Sequence, residues 1–106
     1  MPTSRKIMGV SRGIAGALTA AGTISTGASS NPTSVCISAD GKNVYTANYG
    51  NNTVSIFTRN TSTGALSGTS TIATGTSPQS VCISSDGKNV YVANNASNTV
   101  SIYNRS

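Results

Sequence analysis

PTSVCISADGKNVYTANYGNNTVSIFTR, residues 32–59, returns 46 residues later as PQSVCISSDGKNVYVANNASNTVSIYNR, residues 78–105, with 20 of 28 positions identical and no gap. The text ahead of each copy also repeats. Gly16-Ala17-Leu18 and Thr23-Ile24-Ser25-Thr26-Gly27 parallel Gly64-Ala65-Leu66 and Thr71-Ile72-Ala73-Thr74-Gly75 at an offset of 48. Self-similarity at this period marks a repeat architecture and suits one blade of a β-propeller. A single repeat of this kind cannot bury both faces of its own sheet, so the sequence speaks first about assembly.

Within a copy, the residues alternate as strands do. Val35-Cys36-Ile37 is a short apolar run between Pro32 and Asp40-Gly41, and it reads as a first strand. Asp-Gly ahead of a second β-rich run signals a hairpin turn. Residues 43–48 are then a second strand, Gly50-Asn51-Asn52 a turn, and residues 53–57 a third strand with Val54 and Ile56 on one face. Residues 65–74, dominated by Thr, Ser and Gly, fit an outer fourth strand. The second copy supplies three strands. Residues 17–26 supply a fourth-strand sequence with none of its own before it. The expected order is D-ABCD-ABC, an all-β propeller unit of two four-stranded blades.

This reading divides the chain into a basic leader or strand remnant, residues 1–15, and a two-blade unit, residues 16–106. The repeats run over about 28–75 and over 76–106 together with 16–27. A helical reading of residues 1–15 competes, but Gly9, Gly13 and Gly16 oppose it. Propellers typically have 4–8 blades. The expected partner is therefore the chain itself, as a trimer giving six blades, a tetramer giving eight, or an open head-to-tail polymer. An excerpt of a longer propeller is the remaining alternative. Ala47 and Ala93 are small enough to let neighbouring sheets pack closely, and Tyr45 and Tyr91 are expected between blades.

Ser, Thr and Asn make up 44 of 106 residues, and only 8% are charged. Such a neutral, hydroxyl- and amide-rich surface favours an extracellular or cell-surface setting. The net charge of +5 comes from Arg5, Lys6 and Arg12 near the N-terminus and from the repeat pairs Lys42/Lys88 and Arg59/Arg105. Basic residues without interleaved aromatic platforms do not make a nucleic-acid surface. No run reaches the length of a membrane span, and the broken apolar stretch at residues 14–18 makes a poor signal peptide. Cys36 and Cys82 occupy equivalent positions, too far apart on neighbouring blades for a disulfide, and are expected as buried free thiols.

Tyr91-Val92-Ala93-Asn94 and, with one departure, Tyr45-Thr46-Ala47-Asn48 resemble the Tyr-Val-x-Asn core of the YVTN β-propeller repeat family. The wider pattern Ser-x-Asp-Gly-Lys-Asn-Val-Tyr…Asn-Thr-Val-Ser-Ile extends the resemblance over roughly residues 16–105. Thr63-Gly64-Ala65-Leu66 is also similar to the lactonase-type seven-bladed propellers. The resemblance implies four-stranded blades and says little about activity, because propellers host unrelated functions.

The chain has no His and no Glu, and its two Asp both stand in Asp-Gly turns. Acid–base hydrolysis, a nucleophilic triad and a metal centre all lack their usual groups. The expectation is a non-enzymatic, self-assembling propeller with a structural or binding role and no cofactor. The alternative is a multivalent, lectin-like propeller with glycans as partners. Candidate ligand-binding residues are Tyr49 in a turn, with Asn48, Asn94, Asn52 and Asn98 repeated near strand ends. Neither membrane nor nucleic acid is expected as a partner.

Overall fold

The computed structural model describes residues 15–106. Most of the expected leader thus lies outside the described residues. Seven strands follow one another: β1 (Pro32–Ile37), β2 (Asn43–Asn48), β3 (Thr53–Arg59), β4 (Leu66–Ala73), β5 (Pro78–Ile83), β6 (Asn89–Asn94) and β7 (Thr99–Asn104). They form two antiparallel meanders, a four-stranded sheet β1-β2-β3-β4 and a three-stranded sheet β5-β6-β7. Each sheet is one blade.

Local chemistry explains why the strands fall where they do. Between β1 and β2, Gly41 takes a φ of 74°, a conformation that costs glycine little. The Asp40 carboxylate accepts hydrogen bonds from the Ser38 hydroxyl at 2.6 Å and the Lys42 N–H at 3.0 Å. Ser84, Asp86, Gly87 and Lys88 repeat this turn between β5 and β6. Both first strands carry a bulge after their proline: Pro32 pairs with Asn48 while Ser34 pairs with Ala47, and Pro78 pairs with Asn94 while Ser80 pairs with Ala93.

The core lies between the two sheets. The leading face of the first blade presents Tyr45, Ala47 and Val54, and the trailing face of the second presents Val81, Val90 and Val92. Covering an aliphatic side chain of this size contributes about 1.5–3 kcal/mol. Ala47 is fully buried, as its small size anticipates, and Tyr45 packs between the blades. The leading face of the second blade stays open at Val100 and Ile102, whereas the trailing face of the first is exposed at Val35 and Ile37 but buried at Val44, Thr46, Ser55 and Phe57.

Two details differ from the sequence reading. Residues 17–26 form no strand, and Leu18 is exposed. A fourth strand needs the free edge of a third strand, and among the described residues none lies beside this segment. Cys36 and Cys82 are free but not buried: Cys36 is half-covered and Cys82 exposed. Both project from leading faces, and only the first blade has a neighbour on that side. Burial raises the Cys36 thiol above its ordinary pKa, with Cys82 adding to the effect.

The loops that enter the two blades differ in length by two residues, which accounts for the change of offset from 46 to 48. In the first blade, a Cβ on Gly50 would overlap the Ser29 carbonyl oxygen. In the second, Ala96 stands at the position of Gly50, and the close approach is made by Gly75 of the entering loop. A Cβ on Gly75 would lie 2.7 Å from the Ser97 hydroxyl and 2.8 Å from Asn94 Nδ2.

Candidate functional site

Two ends of the blade pair carry chemistry. One holds the β2–β3 and β6–β7 turns together with the loops entering β1 and β5. The other holds the Asp-Gly turns and Arg59 and Arg105.

At the first end, Asn48 is buried with its amide committed. Its Nδ2 donates to Ser55 Oγ at 2.8 Å and Thr53 Oγ1 at 3.1 Å, and its Oδ1 accepts from Thr46 Oγ1 at 3.1 Å. Asn94 makes the matching donations to Ser101 and Thr99. Its Oδ1, however, is buried without a partner, because Val92 occupies the position of Thr46.

Asn52 sits at φ 59° and Asn98 at φ 53°, so both shape their turns with the left-handed backbone that asparagine tolerates. Asn52 Oδ1 also accepts the Ser77 N–H at 2.9 Å, which ties the first blade to the loop entering the second. Asn98, its counterpart, is exposed. Tyr49 is 40% exposed in its turn. Asn94 and Asn98 line one open groove of about 330 Å³ with Gln79, Ala93 and Val100. Asn48, Tyr49 and Asn52 lie outside it. The residues of this groove stand where Asn52, Thr33, Ala47 and Val54 hold the first blade against the second.

At the other end, the sequence reading missed a network that joins the blades. The Arg105 guanidinium donates to Asp40 at 2.8 and 3.0 Å, to Asn43 Oδ1 at 2.9 Å, to the Tyr45 hydroxyl at 3.0 Å and to the Gly87 carbonyl at 3.1 Å. Arg105, Asn43 and Tyr45 border a cleft of about 240 Å³ between the sheets, with Tyr103 on its wall. The Tyr103 hydroxyl donates to Ala73 O at 2.6 Å. The signal was present: in a chain with so few charges, Asp40/Asp86 and Arg59/Arg105 recur at fixed positions.

The Ser38 hydroxyl, Arg105 and the Lys42 N–H hold the Asp40 carboxyl well below the usual carboxylate range. The Ser84 hydroxyl and the Lys88 N–H lower Asp86. A carboxylate so stabilised is a weak base. Among the described residues there is no group of three or more His, Cys, Asp or Glu side chains that could hold a metal ion.

The sequence matches, over residues 5–106, the model of the family "Lactonase, 7-bladed beta-propeller". A solved structure from Bacteroides fragilis, provisionally assigned as a 6-phosphogluconolactonase, is similar at 30% identity with a TM-score of 0.65. The similarity covers 68% of this chain and 20% of that one. Hydrazine synthase of Kuenenia stuttgartiensis shares the fold at 23% identity and a TM-score of 0.60, covering 81% of this chain and 23% of that one. This chain thus spans about a fifth of the length of the solved structures it matches. No protein of curated function matches.

These findings overturn the expectation of a non-enzymatic structural or binding protein, with its lectin-like alternative. The family is one of enzymes. The error has a physical origin. The absence of His and Glu was weighed as though one chain of this length had to hold a whole active site. In a propeller, the site is built around an axis shared by every blade.

Proposed function

We propose, since this chain belongs to the lactonase family of seven-bladed β-propellers, that it forms two blades of a hydrolase that opens a sugar-acid lactone. The family match along nearly the whole chain carries this reading, and the similarity to the Bacteroides fragilis protein suggests the substrate class. A lactone is a cyclic ester. Water adds to its carbonyl carbon, the carbonyl oxygen becomes an oxyanion, and the ring C–O bond breaks to release a hydroxy acid.

The residues of this chain suit one part of that reaction. The loops entering β1 and β5, residues 27–31 and 74–77, bring hydroxyls and the Asn31 amide to the ends of the first strands, while the N–H groups of Gly27, Ser30, Thr74, Thr76 and Ser77 are already bonded within the protein. Hydroxyl and amide donors stabilise a developing oxyanion and bind sugar hydroxyls. A single well-placed donor is worth about 10²–10³ in rate. Asp40 and Asp86 are held ionised in turns and do not serve as the base. A base on another blade would add about 10²–10⁴.

The test is ring opening of glucono-δ-lactone and its 6-phosphate by the full propeller that contains these two blades, followed by acid release at constant pH. The expected result is saturable hydrolysis above the spontaneous rate. A rate equal to buffer for both lactones, from protein with intact strand content by circular dichroism, would overturn the reading.

A further inference from the structure

The two copies of the repeat differ at 8 of 28 aligned positions, and the differences are unevenly placed. Three are consecutive: Tyr49-Gly50-Asn51 stands where the second copy has Asn95-Ala96-Ser97. They fill the β2–β3 turn. The loop that enters β1 faces this turn and differs from its own counterpart, with Asn31 where the second copy has Ser77. We propose that Tyr49 and Asn31 form a sugar-contacting element peculiar to the first blade. The Tyr49 ring takes one face of the sugar acid, and the Asn31 amide takes one of its hydroxyls. The class of ligand rests on the lactone reading, and the place rests on geometry.

The backbone that carries the two residues is the same in both blades. Tyr49 N–H donates to Asn31 O at 3.0 Å and Gly50 N–H to Ser30 O at 2.8 Å. In the second blade, Asn95 N–H donates to Ser77 O at 2.9 Å and Ala96 N–H to Thr76 O at 3.2 Å. Asn31 and Ser77 both hold left-handed backbone, at φ 46° and 59°. One scaffold thus carries two sets of side chains: a ring and an amide in the first blade, an amide and a hydroxyl in the second.

The side chains of the first set are presented outward. Tyr49 is 40% exposed with the second blade in place, and Asn31 is exposed. Ser77 shows what a covered junction leaves of the Asn31 position, and it is half-buried rather than sealed. A Cβ on Gly50 would lie 3.0 Å from Asn31 Nδ2, so the bare glycine is what lets the amide lie over the turn, one residue from Tyr49. Asn48 and Asn52 spend their amides on the protein. Among the described residues, Tyr49 and Asn31 join the same network by backbone groups alone.

The location suits a substrate. The first strands of the two blades are neighbours, as the strands nearest the central channel of a propeller are. The entering loop and the β2–β3 turn stand together at one end of them. A sugar-acid ring has a C–H face that packs on an aromatic ring, and hydroxyls that need fixed donors and acceptors. Tyrosine offers a large apolar face at low entropic cost, and an amide offers both donors and an acceptor.

Titration calorimetry of the full propeller with gluconate, beside hydrolysis kinetics on glucono-δ-lactone, tests the element. Tyr49→Asn and Asn31→Ser install the residues that the second blade already carries on this backbone, so the fold is kept and thermal midpoints should not move. Tyr49→Asn should weaken gluconate binding and raise KM, each about tenfold, with kcat unchanged, as loss of a contact made equally in ground and transition states requires. Asn31→Ser should do the same by about threefold to tenfold. Tyr49→Phe keeps the ring and should keep most of the binding. A wild-type propeller that does not bind gluconate, or binding and KM indifferent to both Tyr49→Asn and Asn31→Ser, would overturn the proposal. In the latter case, hydrolysis would leave the lactone reading standing while this one fails. Gluconate binding that needs Tyr49, from a propeller that opens no lactone, would do the reverse.

Discussion

Val35 and Val81 occupy the same place in two nearly identical strands, yet one lies open to solvent and the other is sealed. Ala47 and Ala93 make the same contrast on the opposite faces. Sequence decides that these positions form strands and which way they point. Neighbourhood decides what each is worth. A blade has two faces to cover, and among the described residues one face of each blade is covered by the other blade.

The contrast can be broken most sharply at its apolar centre. Val81→Asp puts an unpaired charge into the junction and should cost more than about 4 kcal/mol. Val35→Asp, at an exposed position, should stay within about 0.5 kcal/mol. Urea denaturation of both variants reads the difference directly. Equal losses would mean that the two faces are alike in solution.

The arginine pair sharpens it next. Arg105→Ala removes four cross-blade hydrogen bonds and should cost about 1.5–3 kcal/mol. Arg59→Ala, which removes one bond to Gly41 O, should cost about 1 kcal/mol or less. Thermal midpoints of the two variants test the order.

A smaller effect separates the two buried amides. Thr46→Val should strand Asn48 Oδ1 as Asn94 Oδ1 is stranded, at a cost of about 1 kcal/mol. Val92→Thr gives Asn94 a donor and should lose less than Thr46→Val does. Denaturant midpoints read this pair too.

The smallest effect is pH-dependent. The folded-state pKa of Asp40 is depressed, so its contribution is present above the unfolded value, about 4. It is lost as pH falls from there toward the folded value. Stability followed from pH 6 downward should therefore decline below about pH 4, and Asp40→Asn should flatten the decline. Asp86 runs in the same direction without an arginine to reinforce it.

The blades were legible because period-two alternation, Asp-Gly turns and the 46-residue echo all agree. The fourth-strand reading of residues 17–26 rested on sequence likeness, whereas a strand also needs an edge to pair with. Among the candidate ligand residues, Asn52 shows what sequence conceals. Its partner is the backbone N–H of Ser77, and a backbone donor leaves no mark on residue identity. Asn48 and Asn94 look equivalent in sequence until the residues two places before them, Thr46 and Val92, are seen to decide whether the carbonyl is satisfied. Function was the least legible, because the polar residues that recur, Asp40/Asp86 and Asn48/Asn94, are taken up by turns and internal hydrogen bonds.

Gly50 lies against the Ser29 carbonyl oxygen of the loop entering its blade, and Gly75, in the loop entering the other blade, faces Ser97 and the Asn94 amide. In each blade the entering loop and its facing turn therefore limit each other's side chains. Anyone recombining blades should move the entering loop and its facing turn together. A crossover between them can join two sound halves into a blade that does not close.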